Sequence, residues 1–268
     1  MIIGFWSERA GIGSTTSNMI ITGVMASKGT DREVILVQGK YDTLKLDYAF
    51  SPNIRNDILK EDFGYYNHPG IDDVLEKHMN DLYTQKDFDE NLISVNQSNL
   101  LYMPGSIRNN PDLFRQKFQC VSQRFLEALK GLDKLIFIEL DSGMEGLGQH
   151  MLNLLDLIVI NIGQGRTSLY DLKKQPEFTE KSLFLMGRYD SNSKYNVKNL
   201  IRRYHIDQES VAVIPYSVKY QDSVNEGKTM EFVDRNYQCL KHEEDFSFFK
   251  EAEKASKMIL KRVNAIGT

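Results

Sequence analysis

Short apolar runs and amphipathic segments alternate along the whole sequence. The apolar runs lie between turn-forming residues and are apolar on both faces, which is typical of strands buried within a covered sheet. These predicted strands span residues 2–6, 34–37, 100–103, 135–140, 157–160, 183–186 and 211–214. Strand and helix patterns that alternate in this way favour a parallel sheet over an antiparallel one.

The segments between the runs carry helical periodicity. The predicted helices span residues 15–28, 71–77, 111–132, 146–154, 169–174, 197–204 and 246–265. Asn110 before Pro111, and Asn196 before Val197, are typical N-cap residues. We therefore predict an α/β fold: a doubly wound, mostly parallel sheet with helices on both faces, formed by residues 1–268 as one domain.

Composition excludes several classes of protein. Hydrophobic residues make up 41% of the chain and charged residues 26%, and the formal net charge is −4. Because this balance gives no global attraction to nucleic acid or anionic lipid, any such contact must come from a local patch. The apolar run after Met1 is too short for a signal peptide or a membrane span. Cys120 and Cys239 lack metal-ligand spacing, which predicts free, buried thiols and a cytoplasmic location.

A loop that contains glycine follows the first predicted strand. After Trp6 the chain reads SERAGIGSTT, and the helical pattern begins at Thr15. Gly11 and Gly13 allow the backbone to curl so that N–H groups point inward, and the helix N-terminus adds partial positive charge. This arrangement is typical of a phosphate-binding site, although glycines also serve plain tight turns.

The loop resembles the deviant Walker A signature K-G-G-x-G-K-T-T of the ParA/MinD family of P-loop ATPases, and later motifs follow in that family's order. The resemblance covers nearly the whole chain and implies ATP and Mg²⁺ as ligands. It assigns nucleotide binding to Arg9, Gly11, Ile12, Gly13, Ser14, Thr15 and Thr16.

The loop also departs from that signature. Ala10 replaces a glycine, Arg9 stands at the signature lysine, and Ser14 replaces the phosphate-binding lysine. Ser14 offers a neutral hydroxyl where a lysine would neutralise the β- and γ-phosphates. Arg9 keeps the positive charge that, in the family, reaches across a nucleotide-sandwich dimer, and Thr15 keeps the hydroxyl that the resemblance assigns to Mg²⁺. We therefore expect nucleotide binding without rapid hydrolysis.

The end of the second predicted strand departs further. The resemblance assigns a D-x-D aspartate pair there, and the second aspartate positions the attacking water. The matching residues are Gln38, Gly39 and Lys40. An ammonium cannot act as a general base, but it can partly replace the missing loop lysine, so Lys40 joins the candidate nucleotide-binding residues. A solvated surface lysine is the alternative.

The predicted strand at residues 135–140 ends where the family places a Mg²⁺-linked aspartate, in the pattern hydrophobic-D-x-x-x-G. Glu139 occupies that position and Gly143 completes the pattern. The resemblance therefore implies Thr15 and Glu139 as the metal-binding residues, with Asp141 as an alternative carboxylate. A second interpretation is that Glu139 and Asp141 only cap the following loop.

The later motifs complete the resemblance. Residues 156–161, 183–189 and 213–216 match the family's later core strands, and Gly187 stands where the family has an adenine-contacting asparagine. Among relatives, the loop resembles the TadZ/CpaE pilus-localisation branch most closely. Three functions stay open: a positioning or scaffold protein with weak ATP binding and little hydrolysis, an active partition-type ATPase, and a nucleotide-free interaction module.

The resemblance also implies partners, namely a homodimer or a mixed dimer with a related ATPase, and a protein of a localisation, secretion or pilus system. The last predicted helix carries a lysine stripe, which we define as Lys250, Lys254, Lys257 and Lys261. Such a stripe can bind DNA phosphates or anionic lipid, and a solvated face of a docked helix is the alternative. Because the chain ends in polar and small residues, we expect no membrane anchoring.

Overall fold

The computed structural model describes residues 1–8, 15–41, 45–51, 70–96, 98–106, 110–143, 149–165, 181–238, 241 and 245–266.

A single eight-stranded sheet, with strand order β3-β4-β2-β5-β1-β6-β7-β8, runs through the described part of the chain. The strands are β1 (Ile2–Trp6), β2 (Val34–Gln38), β3 (Ile93–Ser94), β4 (Leu100–Met103), β5 (Leu135–Glu139), β6 (Leu157–Ile162), β7 (Ser182–Tyr189) and β8 (Val211–Pro215). Only the short edge strand β3 pairs antiparallel, and the other pairings are parallel.

Helices cover both faces of this sheet. They are α1 (Thr15–Gly29), α2 (Lys45–Phe50), α3 (Ile71–Met79), α4 (Gln85–Glu90), α5 (Pro111–Lys130), α6 (Gln149–Leu154), α7 (Val197–Tyr204), α8 (Val218–Asn225), α9 (Thr229–Asn236) and α10 (Phe246–Ile266). A 3₁₀ turn, Gln208–Ser210, precedes β8.

Two hydrophobic cores lie on opposite faces of the sheet, because successive side chains of a strand point to opposite sides. Within β1, Ile2 belongs to the core under α3, α5 and α7, whereas Ile3 and Phe5 belong to the core under α1, α8 and α10. The sheet is therefore a central layer that places the carboxyl ends of β1, β2 and β5 side by side.

The structure confirms each strand predicted from the apolar runs, with small shifts at the ends. Asn110 and Asn196 are N-caps, as predicted, and accept hydrogen bonds from the backbone N–H groups of Leu113 and Asn199. The predicted helix at 169–174 lies outside the described residues. The expectation of buried cysteines is wrong for Cys120, which is free and exposed, while Cys239 lies outside the described residues.

Helix α10 packs on the sheet and on α1 through its apolar face. Ala252, Ala255, Ile259 and Val263 are fully buried against the core that contains α1 and β8. Since this face is already covered, it is not available to lie on lipid. None of the helices in the described ranges is long and apolar enough to span a membrane.

Candidate functional site

The loop between β1 and α1 is only partly described. Arg9, Gly11, Ile12, Gly13 and Ser14 lie outside the described residues, so their assignment to nucleotide stays a prediction. Thr15 and Thr16 form the first turn of α1 and are both buried. The helix therefore begins directly after the predicted phosphate loop.

Glu139 lies at the carboxyl end of β5, between two neighbouring strands. In the sheet it pairs with Phe5 of β1 on one side and with Gln38 of β2 on the other. Its side chain is fully buried and accepts hydrogen bonds from the Thr16 hydroxyl, at 2.7 Å to Oε1 and 3.0 Å to Oε2. The partial positive charge at the N-terminus of α1 also favours a carboxylate here.

Lys40 is the cationic partner of this carboxylate. Its Nζ lies 2.8 Å from Glu139 Oε1, and 21% of its side chain is exposed. The alternative of a solvated surface lysine is therefore wrong, because the ammonium is part of an ion pair with a buried carboxylate. We call Lys40, Glu139 and Thr16 the buried triad. It joins the ends of β2 and β5 to the start of α1.

Gly39 explains how Lys40 reaches Glu139. A Cβ atom at Gly39 would lie 2.7 Å from the backbone oxygen of Glu139 and 3.0 Å from the Ile138 side chain. Only glycine allows β2 to leave the sheet this close to β5, because a backbone atom cannot move aside as a flexible side chain can. The chain thus turns Lys40 back over the end of β5.

The second carboxylate beyond β5 also has a cationic partner. Asp141 Oδ2 accepts a hydrogen bond from Arg115 Nε of α5 at 2.9 Å, and Oδ1 accepts one from the Ser142 backbone N–H at 2.9 Å. Gly143 then adopts a left-handed conformation, with φ 86°. Asp141 therefore helps to shape the turn, in agreement with the loop-capping interpretation for this residue.

A second polar group lies beside the triad and was not predicted from the sequence. Gln38 is fully buried, and neither polar atom of its amide has a hydrogen-bond partner among the described residues. Nearby Asp47 is also buried, and its Oδ2 accepts a hydrogen bond only at 3.3 Å, from the Gly105 backbone N–H. Burial raises the pKa of Asp47 to about 6, because desolvation disfavours the charged carboxylate.

Buried polar contacts fix the first turns of α1 over the sheet. Asn18 Nδ2 donates to Asn161 Oδ1 of β6 at 2.8 Å, and both side chains are buried. From α8, the Tyr220 hydroxyl donates to the Ser17 carbonyl at 2.5 Å. Together with the Thr16–Glu139 contact, these bonds hold the start of α1 against the ends of β5 and β6.

The predicted adenine region lies at the carboxyl ends of β7 and β8. Gly187 is within β7, and the following residue, Arg188, has a left-handed φ of 49°. Tyr216, just beyond β8, donates its backbone N–H to the Tyr189 carbonyl and is 59% exposed. Gly187 has no side-chain amide, so the position to which the resemblance assigns an adenine-contacting asparagine lacks that hydrogen-bonding group.

The lysine stripe of α10 is largely paired with carboxylates. Lys257 lies 2.7 Å from Glu253, Lys261 lies 3.0 Å from Glu209, and Lys254 lies 4.0 Å from Glu251. The remaining member, Lys250, has its ammonium 5.9 Å from the centroid of the Phe246 ring. Such exposed pairs are weak, but they lower the net positive charge that the stripe presents to a phosphate backbone.

No protein-family model matches the sequence, and no curated protein matches it significantly. The fold is nevertheless similar to that of solved structures. The ParA family ATPase from Chlorobium tepidum TLS superposes with a TM-score of 0.69 at 14% identity, over 96% of this chain and 98% of that one. The septum site-determining protein MinD with Mg-ADP from Pyrococcus horikoshii OT3 gives a TM-score of 0.67 at 16% identity, over 99% and 98%.

A third similar structure is a putative plasmid partition protein from Borrelia burgdorferi B31 bound to AMPPNP. It gives a TM-score of 0.62 at 14% identity, over 97% of this chain and 98% of that one. The predicted fold class is therefore confirmed: this chain has the α/β fold of the ParA and MinD P-loop ATPases. At such low identity the likeness concerns the fold, and function has to be argued from the site.

Proposed function

We propose that this chain is a positioning or scaffold protein of the ParA/MinD type that binds ATP weakly and hydrolyses it little or not at all. The nucleotide would lie at residues 9 and 11–16, which include the first turn of α1, with Lys40 beside it. The proposal joins two features: the strand–loop–helix start that such a loop needs, and a set of side chains unsuited to catalysis at the same edge of the sheet.

The Lys40–Glu139 contact carries this proposal. The resemblance places a water-positioning carboxylate at residue 40, but an ammonium stands there, 2.8 Å from Glu139. A protonated amine that is bound to a carboxylate neither accepts a proton from water nor orients water as a carboxylate does. Loss of one preorganised charged group lowers phosphoryl-transfer rates by about 10³-fold or more. Ser14 removes a second such group.

The similar structures support a role in localisation. Their names describe a ParA family ATPase, a MinC:MinD cell division protein complex and a putative plasmid partition protein. We extend to this chain a homodimer or a mixed dimer with a related ATPase, and a protein partner in a localisation, secretion or pilus system. Because the loop lacks the phosphate-binding lysine, we assign this chain the pilus-localisation role of the TadZ/CpaE branch.

Calorimetric titration with ATP tests the binding half of the proposal. We expect a dissociation constant in the micromolar range that is lost in Gly13→Asp, because a carboxylate in the loop repels phosphate. The matched control is Gly131→Asp, since Gly131 is exposed in a right-handed helical conformation at the end of α5. No binding at millimolar ATP would contradict the proposal and leave the nucleotide-free module.

A phosphate-release assay on the same proteins tests the catalytic half. We expect release no faster than from ATP in buffer. Steady release that Gly13→Asp abolishes would contradict the proposal and favour a partition-type ATPase instead.

A further inference from the structure

Members of the fold family hold Mg²⁺, as the Mg-ADP structure of MinD does. In this chain, the residues that the resemblance assigns to that ion are Thr15 and Glu139. Mg²⁺ requires about six oxygen ligands at 2.0–2.1 Å in near-octahedral geometry. The contacts of the candidate carboxylates decide whether the site suits such an ion.

Glu139 does not fit a Mg²⁺ ion in its present state. Both of its carboxylate oxygens accept hydrogen bonds from Thr16, and Oε1 also binds the Lys40 ammonium at 2.8 Å. A metal ion on the same buried carboxylate would lie within a few ångströms of that ammonium. Since both are cations in a desolvated setting, they would repel each other strongly.

Asp141 does not offer a replacement. Its two carboxylate oxygens are held by Arg115 and by the Ser142 backbone N–H, each at 2.9 Å. Elsewhere in the described ranges, no three His, Cys, Asp or Glu side chains come together in a way that would hold a metal. Both carboxylates at the end of β5 are thus neutralised by cations of the chain itself.

The backbone brings Lys40 close to Glu139. Gln38 is in register with Glu139, and Gly39 turns the chain at a distance that admits no side chain. The Thr16 hydroxyl, in the first turn of α1, contacts the same carboxylate, so the ammonium lies close to the start of that helix. A helix N-terminus of this kind binds phosphate, and the neighbouring ammonium, which carries three N–H donors, can donate to a phosphate oxygen as well as to Glu139.

We propose that the Lys40 ammonium is a built-in cation that takes the place of Mg²⁺, so that this chain binds nucleotide phosphates without a divalent metal. The inference rests on the proposed function, because it concerns how the same loop binds ATP. It predicts a ligand preference unlike that of a Mg²⁺-dependent ATPase: free ATP and Mg-ATP should bind with similar affinity.

Calorimetry with ATP in millimolar Mg²⁺ and in excess EDTA tests the inference. For the wild-type protein we expect dissociation constants that agree within about twofold, which corresponds to less than about 0.5 kcal/mol. Lys40→Met should weaken binding in EDTA by at least about tenfold. Its control, Lys28→Met, changes a lysine at the opposite end of α1 that pairs with Asp234 and should leave both constants unchanged.

The possible failures are distinguishable. Tight binding in Mg²⁺ that disappears in EDTA would overturn the built-in cation and leave the proposed function standing, whereas no binding in either buffer would overturn both. Titration of nucleotide-free protein with Mn²⁺, followed by electron paramagnetic resonance, does not depend on ATP. We expect no saturable Mn²⁺ site in the wild type; one Mn²⁺ bound by the wild type and lost in Glu139→Gln would overturn the inference.

Discussion

Removal of the Lys40 ammonium should destabilise the protein much more than removal of an ordinary surface charge. Lys40→Met keeps most of the volume of the side chain, but it leaves the fully buried Glu139 carboxylate without its cation. Breaking a buried pair by removing one partner costs about 3–5 kcal/mol. We expect the lower end, about 3 kcal/mol, because 21% of the Lys40 side chain is exposed and the pair is partly screened.

A variant that removes the charge of the partner residue, Glu139, tests the same ion pair. Glu139→Gln should cost only about 1 kcal/mol, since the Lys40 ammonium can turn towards solvent and Thr16 can still donate to the amide oxygen. The double variant should cost about 1–2 kcal/mol, so the two substitutions should be coupled by about 2–3 kcal/mol.

Urea unfolding at pH 7 measures these costs as differences in the unfolding free energy extrapolated to zero urea; an unchanged slope of that free energy against urea among the four proteins shows that the unfolding transitions are comparable. Circular dichroism of each protein before unfolding shows whether the native fold is kept. Additive costs, or a loss below about 1 kcal/mol for Lys40→Met, would mean that the contact behaves as a surface pair, and the buried triad would then not be an organising feature of the site.

Two further predictions concern the same edge of the sheet. Burial raises the pKa of Asp47 in the folded protein from 3.8 to about 6, so the folded protein holds this proton more tightly than the unfolded chain. The free energy of unfolding should therefore fall as pH rises from about 4 to about 6, by up to about 3 kcal/mol. Asp47→Asn should remove this pH dependence of the unfolding free energy, as measured by urea unfolding, and stabilise the protein at pH 7. An unchanged pH dependence would contradict the assignment to Asp47. Gly39→Ala should lower the unfolding free energy by about 1–3 kcal/mol, because the new Cβ atom would lie 2.7 Å from the Glu139 backbone oxygen. The control Gly131→Ala, whose Cβ atom would lie 3.6 Å from its nearest neighbour, should be neutral or slightly stabilising. Equal melting temperatures for the two variants would argue against the close approach at Gly39.

The sheet was predictable because each of its long strands is a compact apolar run. Strand β3, Ile93–Ser94, was not predicted, since one partly buried residue and one exposed residue give no periodic signal. Helices α2 and α4, of six residues each, are also too short for a helical period to be recognised. Asn110 and Asn196, in contrast, cap their helices as predicted because capping is a local interaction.

The site was predictable in part. The motifs placed Lys40 just after the second predicted strand and Glu139 near the end of the strand at 135–140, but they did not indicate that the two side chains bind each other. That contact depends on the close approach at Gly39, which sequence spacing does not reveal. The raised pKa of Asp47 could not be predicted from the sequence either. Burial of this carboxylate depends on the packing of α2 against distant segments rather than on neighbouring residues.

A single-turnover experiment tests most directly whether this chain binds ATP without hydrolysing it. Protein in excess is mixed with ATP labelled on the α-phosphate in the presence of Mg²⁺, and bound nucleotide is recovered over time and separated by chromatography. We predict that the bound label stays in ATP, in the wild type as in Glu139→Gln. Conversion of bound ATP to ADP by the wild type, lost in both Glu139→Gln and Gly13→Asp, would contradict the proposed function.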